Sequence, residues 1–292
     1  MVGADAGALA LAQVVISGLL LGAVYALLAI GLNLIFGVMR VINIAHGELL
    51  MLGSYATFWL FTLWGVNPIV SLVLVLPAMF LLGALLQRTL VDRVVGQPLL
   101  ISLLLTFGLS SFLIGVALNL WTANYRSVPA FSGSIVVGGL ALSISRVIAF
   151  VVALAITLAV WYFLRTTRLG KAVRATSQNT EVALVCGIDV ARIRLLAFGL
   201  GTAMAGAAGS LLAVIYTVYP EMGRTFLMKA FAIIVLGGLG SFGGAFVGAL
   251  ALGVAEALAA FAWNTQIAEA VAYAIFIGVL FVRPSGLFGV RE

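Results

Sequence analysis

The chain has 292 residues, 64% of them hydrophobic and only 8% charged, with a net charge of +6. A soluble domain carries about 25% charged residues, so there is too little polar surface here to cover a water-facing globule or to build a sizeable soluble domain. A spanning helix takes about 20 apolar residues. The expected fold is therefore all-α and polytopic, a single transmembrane domain over residues 1–292 with about eight or nine helices through the bilayer.

The apolar runs predict spans in this order: Leu9 to Leu32, Leu49 to Trp64 with a polar lead-in from Asn43, Ile69 to Leu86, Leu99 to Trp121, Val147 to Leu164 and Leu195 to Tyr216. Leu227 to Leu236 follows, then a glycine-rich break, Ala245 to Trp263, and Ile267 to Val282. The stretch Leu227 to Gly244 reads either as a full span or as a re-entrant half-helix. No basic region precedes the first apolar run, so that run is expected to remain as a span. Residues 122–145 have a different texture, with turn residues, Ser134-Ile135-Val136-Val137, Gly138-Gly139 and a second β-prone run. This reads as a short external hairpin, either a contact for an outside partner or a plain connector.

Charge placement orients the chain. Residues 165–194 carry Arg165, Arg168, Lys171, Arg174, Arg192 and Arg194, and the positive-inside rule makes this loop cytoplasmic. Counting spans outward puts Arg40, Arg88, Arg93, Arg283 and Arg291 on the same side and leaves Arg126, Arg146, Arg224 and Lys229 outside. The layout expected is N-out with a cytoplasmic C-terminus in a bacterial inner membrane. The basic balance then reflects topology and not nucleic-acid binding. One cysteine, Cys186, excludes an internal disulfide.

Within the basic loop, Thr180 is positioned to cap a short helix from Glu181 through Val182, Ala183 and Leu184, and Gly187 to end it. Such a helix could seat in a groove on a partner or be a solvated connector. Asn33, Asn43, His46 and Glu48 form a polar stretch interrupted by Gly31, Gly37 and Gly47. Irregular polar backbone at membrane depth marks a solute path or its gate. The plainer alternative is that Asn43 caps the second span while His46 and Glu48 make satisfied contacts at the cytoplasmic interface. Gly237, Gly238, Gly240 and Ser241 form the matching break in the second half, either a half-helix end or a tight helix crossing. Glu256 lies mid-span and must face protein or water. Glu221, Arg224 and Lys229 are expected near the outer surface, as contacts for a binding protein or as solvated loop charges. No metal-ligand set and no G-x-x-x-x-G-K-[ST] phosphate loop is present in the sequence.

Glu181-Val182-Ala183-Leu184-Val185-Cys186-Gly187 is similar to the E-A-A-x-x-x-G coupling loop of ABC importer permeases, with Val182 at its second position. Gly31 to Gly37, Val41 to Glu48, Met51 to Tyr55, Gly237 to Gly244 and Arg283 to Gly289 resemble the branched-chain amino acid ABC transporter permease family of the LivH type. The resemblance runs over nearly the whole chain. It implies a non-catalytic subunit without a cofactor of its own, ATP and Mg being held by two cytoplasmic ATP-binding subunits. It further implies a second related permease subunit, a heterodimer in preference to a homodimer, and a periplasmic solute-binding protein. Glu181, Ala183 and Gly187 would dock on an ATPase. The cargo implied is a branched-chain or other small amino acid, with urea or short amides as the alternative within the family. An ion-coupled carrier built on Glu256 is the alternative outside it. An intramembrane enzyme would need a nucleophile–base pair or a metal cluster that the sequence does not supply.

Overall fold

The computed structural model describes residues 2–282 and Gly286. Arg283, Arg291 and, apart from Gly286, the rest of the C-terminal motif therefore lie outside the described residues. The helices are α1 (Val2–Met39), α2 (His46–Trp64), α3 (Pro68–Thr89), α4 (Leu99–Trp121), α5 (Ile144–Thr166), α6 (Arg168–Gln178), α7 (Thr180–Val185), α8 (Val190–Ala213), α9 (Met222–Gly237), α10 (Phe242–Ala262) and α11 (Thr265–Val282). Six of them, α1, α3, α4, α5, α8 and α10, are long and apolar enough to cross a membrane. The all-α polytopic fold expected from the sequence is what forms. α9 is a continuous 16-residue helix, shorter than a full span requires.

The connections follow from local chemistry. Gly65 ends α2 in the left-handed conformation at φ 64°. Asn67 then caps α3, its side chain accepting from the Ile69 N–H, with Pro68 at the first helical position. A hairpin forms where the sequence predicts one: β1 (Ser134–Val137) pairs antiparallel with β2 (Leu140–Ser143). Gly138 and Gly139 both take positive φ between the strands, the geometry a two-residue hairpin turn demands.

α1 and α8 are buried along most of their length, whereas α3, α4 and α5 each bury a single face. The core is therefore a packing of α1, α2, α8, α9 and α10, with the rest ranged around it. Small residues let these backbones meet. A Cβ at Gly18 would lie 2.6 Å from the Gly253 carbonyl, one at Gly22 would lie 2.8 Å from that of Ala249, and one at Gly53 would run into the backbone of Gly206. Gly18 and Gly22 thus serve helix packing, as does Gly248 against Ile233 and Leu236.

These contacts predict opposite outcomes for one substitution at two glycines. Gly53→Ala forces a methyl into backbone, an overpacking cost of about 1–3 kcal/mol. Gly115→Ala adds its methyl to open space and gains about 1 kcal/mol of helix propensity. Thermal unfolding in detergent is expected to fall for the first and to hold or rise for the second.

Candidate functional site

At the C-terminal end of α1, Arg40 adopts φ 52°, a left-handed turn uncommon outside glycine, and the chain folds back along the helix it has just left. The next contacts show how far. The His46 ring donates Nε2–H to the Leu28 carbonyl at 3.2 Å, eleven residues before Met39. At 1.5 Å per residue this is about 16 Å up α1. α2 thus begins inside the bundle and not at its surface. Thr106 of α4 stitches the extended lead-in: its hydroxyl donates to the Ile42 carbonyl at 2.8 Å and accepts from the Ile44 N–H at 3.2 Å.

This corrects the expected capping role of Asn43. Ala45 occupies the cap position of α2 and makes no side-chain capping bond. Asn43, His46 and Glu48 are all buried, so the alternative of satisfied contacts at an aqueous interface does not hold. Asn43 Nδ2 and Oδ1, His46 Nδ1 and Glu48 Oε2 have no hydrogen-bond partner. Each such orphan costs about 1–3 kcal/mol, which makes the group unusual for a purely structural one. The N-terminus of α9 abuts the same point, for a Cβ at Gly223 would stand 2.5 Å from the Gly47 carbonyl oxygen. Two helix N-termini, each carrying partial positive charge, therefore meet beside a buried carboxylate.

Asn33 uses both atoms of its amide and joins the two glycine-rich segments. Its Nδ2 donates to the Ser241 carbonyl at 2.9 Å, and its Oδ1 accepts from the Gly240 N–H at 2.7 Å. Ser241 caps α10 through the Gly244 N–H at 3.0 Å. Gly238 and Gly240 supply the positive φ angles of the turn, at 91° and 82°. Gly237 packs on Gly244 and Ala245, and a Cβ at Gly286 would lie 2.6 Å from Gly238. The break is a clamped reversal between α9 and α10, placed beside the C-terminal end of α1.

Lys229 is not an outer loop charge. It lies within α9, with its side chain 6% exposed, and its ammonium pairs with Glu256 of α10 at 2.5 Å. The same ammonium donates to Tyr25 Oη at 3.3 Å and lies 5.1 Å and 5.6 Å from the Tyr25 and Phe226 ring centroids. The sequence signal for this pair is a glutamate alone in one apolar helix and a lysine inside the neighbouring apolar run; counting spans outward from the basic loop assigns Lys229 to the outer surface instead. The Thr106 stitch left no such signal, since a threonine in an apolar run reads as filler.

At the same end as Asn33, α7 follows α6 directly. Its cap is Asn179, one residue before the expected Thr180, with Oδ1 accepting from the Glu181 and Val182 N–H groups at 2.9 and 3.0 Å. Gly187 takes φ 78°. Its N–H reaches the Leu184 carbonyl at 2.9 Å while the Ile188 N–H reaches that of Ala183 at 3.0 Å, a Schellman closure. Ala183 is buried against the chain, and Val182, Leu184 and Val185 are 57%, 56% and 89% exposed. The apolar knob is therefore made by Val182, at the second motif position, together with Leu184 and Val185 of the variable stretch. Glu181 borders a groove that also includes Arg40, Gln97 and Arg194.

The buried ion pair yields a stability test. Lys229→Met strands Glu256 and is expected to destabilise by about 3–5 kcal/mol. The double variant Lys229→Met/Glu256→Leu removes both charges and should recover most of that loss. Unfolding midpoints of the two variants in detergent provide the comparison.

Residues 14–280 match the family described as the branched-chain amino acid transport system / permease component. The chain is 35% identical to the high-affinity branched-chain amino acid transport system permease protein LivH of Salmonella typhimurium, with 96% of each covered. It is 34% identical to BraD of Pseudomonas aeruginosa, again over 96% of each. A probable LivH of Methanocaldococcus jannaschii is 30% identical, covering 90% of this chain and 88% of that protein. With a match spanning nearly its full length, the chain belongs to the branched-chain amino acid transport permease family, whose members are non-catalytic permease components.

Proposed function

We propose that this protein is the membrane-spanning permease subunit of an ATP-driven ABC importer in a bacterial inner membrane. It moves branched-chain or other small amino acids handed over by a periplasmic binding protein. Two cytoplasmic ATPases and a second related permease subunit complete the machine, and ATP with Mg is held on the ATPases. The observation that carries this reading is α7, a short helix closed at both ends that exposes three apolar residues beside a groove. A solvated connector has no use for Val182, Leu184 and Val185 in water, whereas a knob entering a partner's groove does.

The arginines at the α7 end, Arg40, Arg88, Arg93 and those of residues 165–194, favour a cytoplasmic location for it. Gly286 packs at the same end, in keeping with a cytoplasmic C-terminus. The solute path in this reading passes the meeting point of α2 and α9. The two helix N-termini suit the carboxylate of an amino acid, and Glu48 suits its ammonium. Asn43 and His46 offer the remaining unpaired groups. An ion-coupled carrier built on Glu256 would want that carboxylate unpaired, and Glu256 already holds Lys229. ATP-driven closure of the ATPases would draw on α7 and favour one of two helix packings, the chain itself doing no chemistry.

Val185→Asp changes a residue that is almost wholly exposed, so the fold is expected to survive with an unchanged unfolding midpoint. Co-expressed ATPase subunits should copurify with the wild type and be lost from this variant. Retention of the ATPases, or amino acid uptake down an ion gradient without them, would sink the importer reading. Glu48→Gln replaces a half-paired buried carboxylate with a near isostere. It should keep the ATPases and the unfolding midpoint while lowering amino acid uptake at least about tenfold, the loss of one charge-assisted contact of ~1.5–3 kcal/mol. Uptake of urea or short amides in place of amino acids by the wild type would reassign the solute.

A further inference from the structure

A cavity of about 450 Å3 opens among α1, α5, α6 and the Gly240 turn. Its lining is mostly apolar, with Ile30, Leu34, Val38, Leu164 and Val173 beside the polar Asn33 and Ser177, and it includes the exposed Arg165 and Arg174. The two arginines are held together: the Arg165 guanidinium lies 5.1 Å from the Trp161 ring centroid, and Arg174 Nη2 donates to the Arg165 carbonyl at 3.4 Å. Among the described residues neither has a carboxylate within salt-bridge distance. A guanidinium has five N–H donors, so most of this donor capacity has no protein partner among the described residues.

Two further observations bear on what fills the cavity. On α5 and the start of α6, the helices that border it, the surface is apolar and aromatic, with Leu158, Trp161, Tyr162 and Leu169 exposed at 53%, 41%, 63% and 41%. This is the composition of a bilayer interface and not of a water-facing cleft. α6 buries Gly170, Val173 and Thr176 and turns Arg168, Lys171 and Arg174 outward, the pattern of a helix lying at an anionic membrane surface.

We propose that this cavity binds the phosphate headgroup of an anionic phospholipid, with Arg165 and Arg174 on the phosphate and an acyl chain along the Leu34–Leu164 wall. A mostly apolar pocket between helices that includes two exposed arginines matches an anionic amphiphile in both halves. A free phosphate would leave the apolar wall without a role, and a zwitterionic solute would leave two cations facing one carboxylate. The site adjoins α6, and α6 leads directly into α7, so lipid occupancy braces the segment that carries the exposed knob. The proposal requires only that the chain be embedded in a membrane and is independent of the ATPase partnership.

The test is native mass spectrometry of the full chain with any subunits that copurify, in a neutral detergent. Phosphatidylglycerol, phosphatidylcholine, glycerol phosphate and leucine are the probes. Phosphatidylglycerol is expected to be retained in preference to phosphatidylcholine. Arg165→Gln and Arg174→Gln should each weaken it about fivefold, and the pair about twentyfold. Arg165→Lys, which keeps the charge, should retain most of the binding and shows that a loss in the glutamine variant is not misfolding. Arg88→Gln/Arg93→Gln, outside the cavity, should leave lipid retention unchanged. Equal retention of the two lipids, or unaltered phosphatidylglycerol binding in the double glutamine variant, overturns the site. Displacement of the lipid by glycerol phosphate at equal concentration overturns its lipid source, and displacement by leucine makes the cavity part of the solute route instead.

Discussion

Helices in lipid gain little by hiding apolar surface from acyl chains that are equally apolar, so their association rests on close contact and on polar bonds between them. In this protein both are concentrated on α1. Gly18 and Gly22 bring its backbone onto α10, Gly31 brings it onto Gly201 of α8, and Asn33 bonds the turn that joins α9 to α10. The fold radiates from this helix. Peripheral helices such as α3 and α5 offer one face to it or to its neighbours and the other to solvent lipid. A side chain as small as a methyl group at the closest of these points would separate backbones that nothing else holds at that distance.

The polar groups inside the bundle fall into two kinds. Asn33, Ser54, Thr106 and the Lys229–Glu256 pair have partners on other helices or on the segments that join them; they set the register of helices that apolar packing alone would let slide. The Asn43 side chain has no partner at all, His46 and Glu48 each leave one atom without one, and of the charged pair only Glu256 Oε2 is left over. A membrane protein has little tolerance for such groups, and their gathering at the junction of α2 with α9 is what distinguishes that junction from the rest of the core. The charged pair and the unpaired group occupy the same half of the molecule's architecture, linked by α9, which begins at Gly223 beside Gly47 and carries Lys229 two turns on.

Much of this was legible in the chain. The apolar runs, the hairpin signalled by Gly138-Gly139, the helix terminated at Gly187 and the glycine pairs at helix crossings are local patterns, and local patterns determine local structure. The failures share a cause: they concern depth. Asn43 is a good cap in the abstract, but the chain at Arg40 turns back along α1, so that α2 starts where its first turn finds other helices instead of water. Lys229 reads as a surface charge until α9 is seen to begin at Met222 and to lie between α1 and α10. Hydropathy locates a segment along the sequence and carries no information on how far up its neighbour it is drawn, which depends on partners such as Thr106 and Gly223, remote in sequence and unremarked in composition.

The stitch between the lead-in of α2 and Thr106 bears on how the protein is made. Ile42 and Ile44 find their bonds on a threonine 64 and 62 residues further along, and Gly53 finds its packing partner Gly206 later still. At 5–20 residues per second of synthesis, about 3–13 s pass before Thr106 is even polymerised. Through that interval Asn43, His46 and Glu48 have none of their final neighbours from α4 or α9. A segment of this polarity cannot rest in open hydrocarbon, so α2 must be sheltered by the insertion machinery or wait at the interface until α4 arrives. The first two helices, adjacent in sequence, are thus assembled as a pair only after the third and fourth have been delivered, and the order of assembly in the membrane departs from the order of the gene.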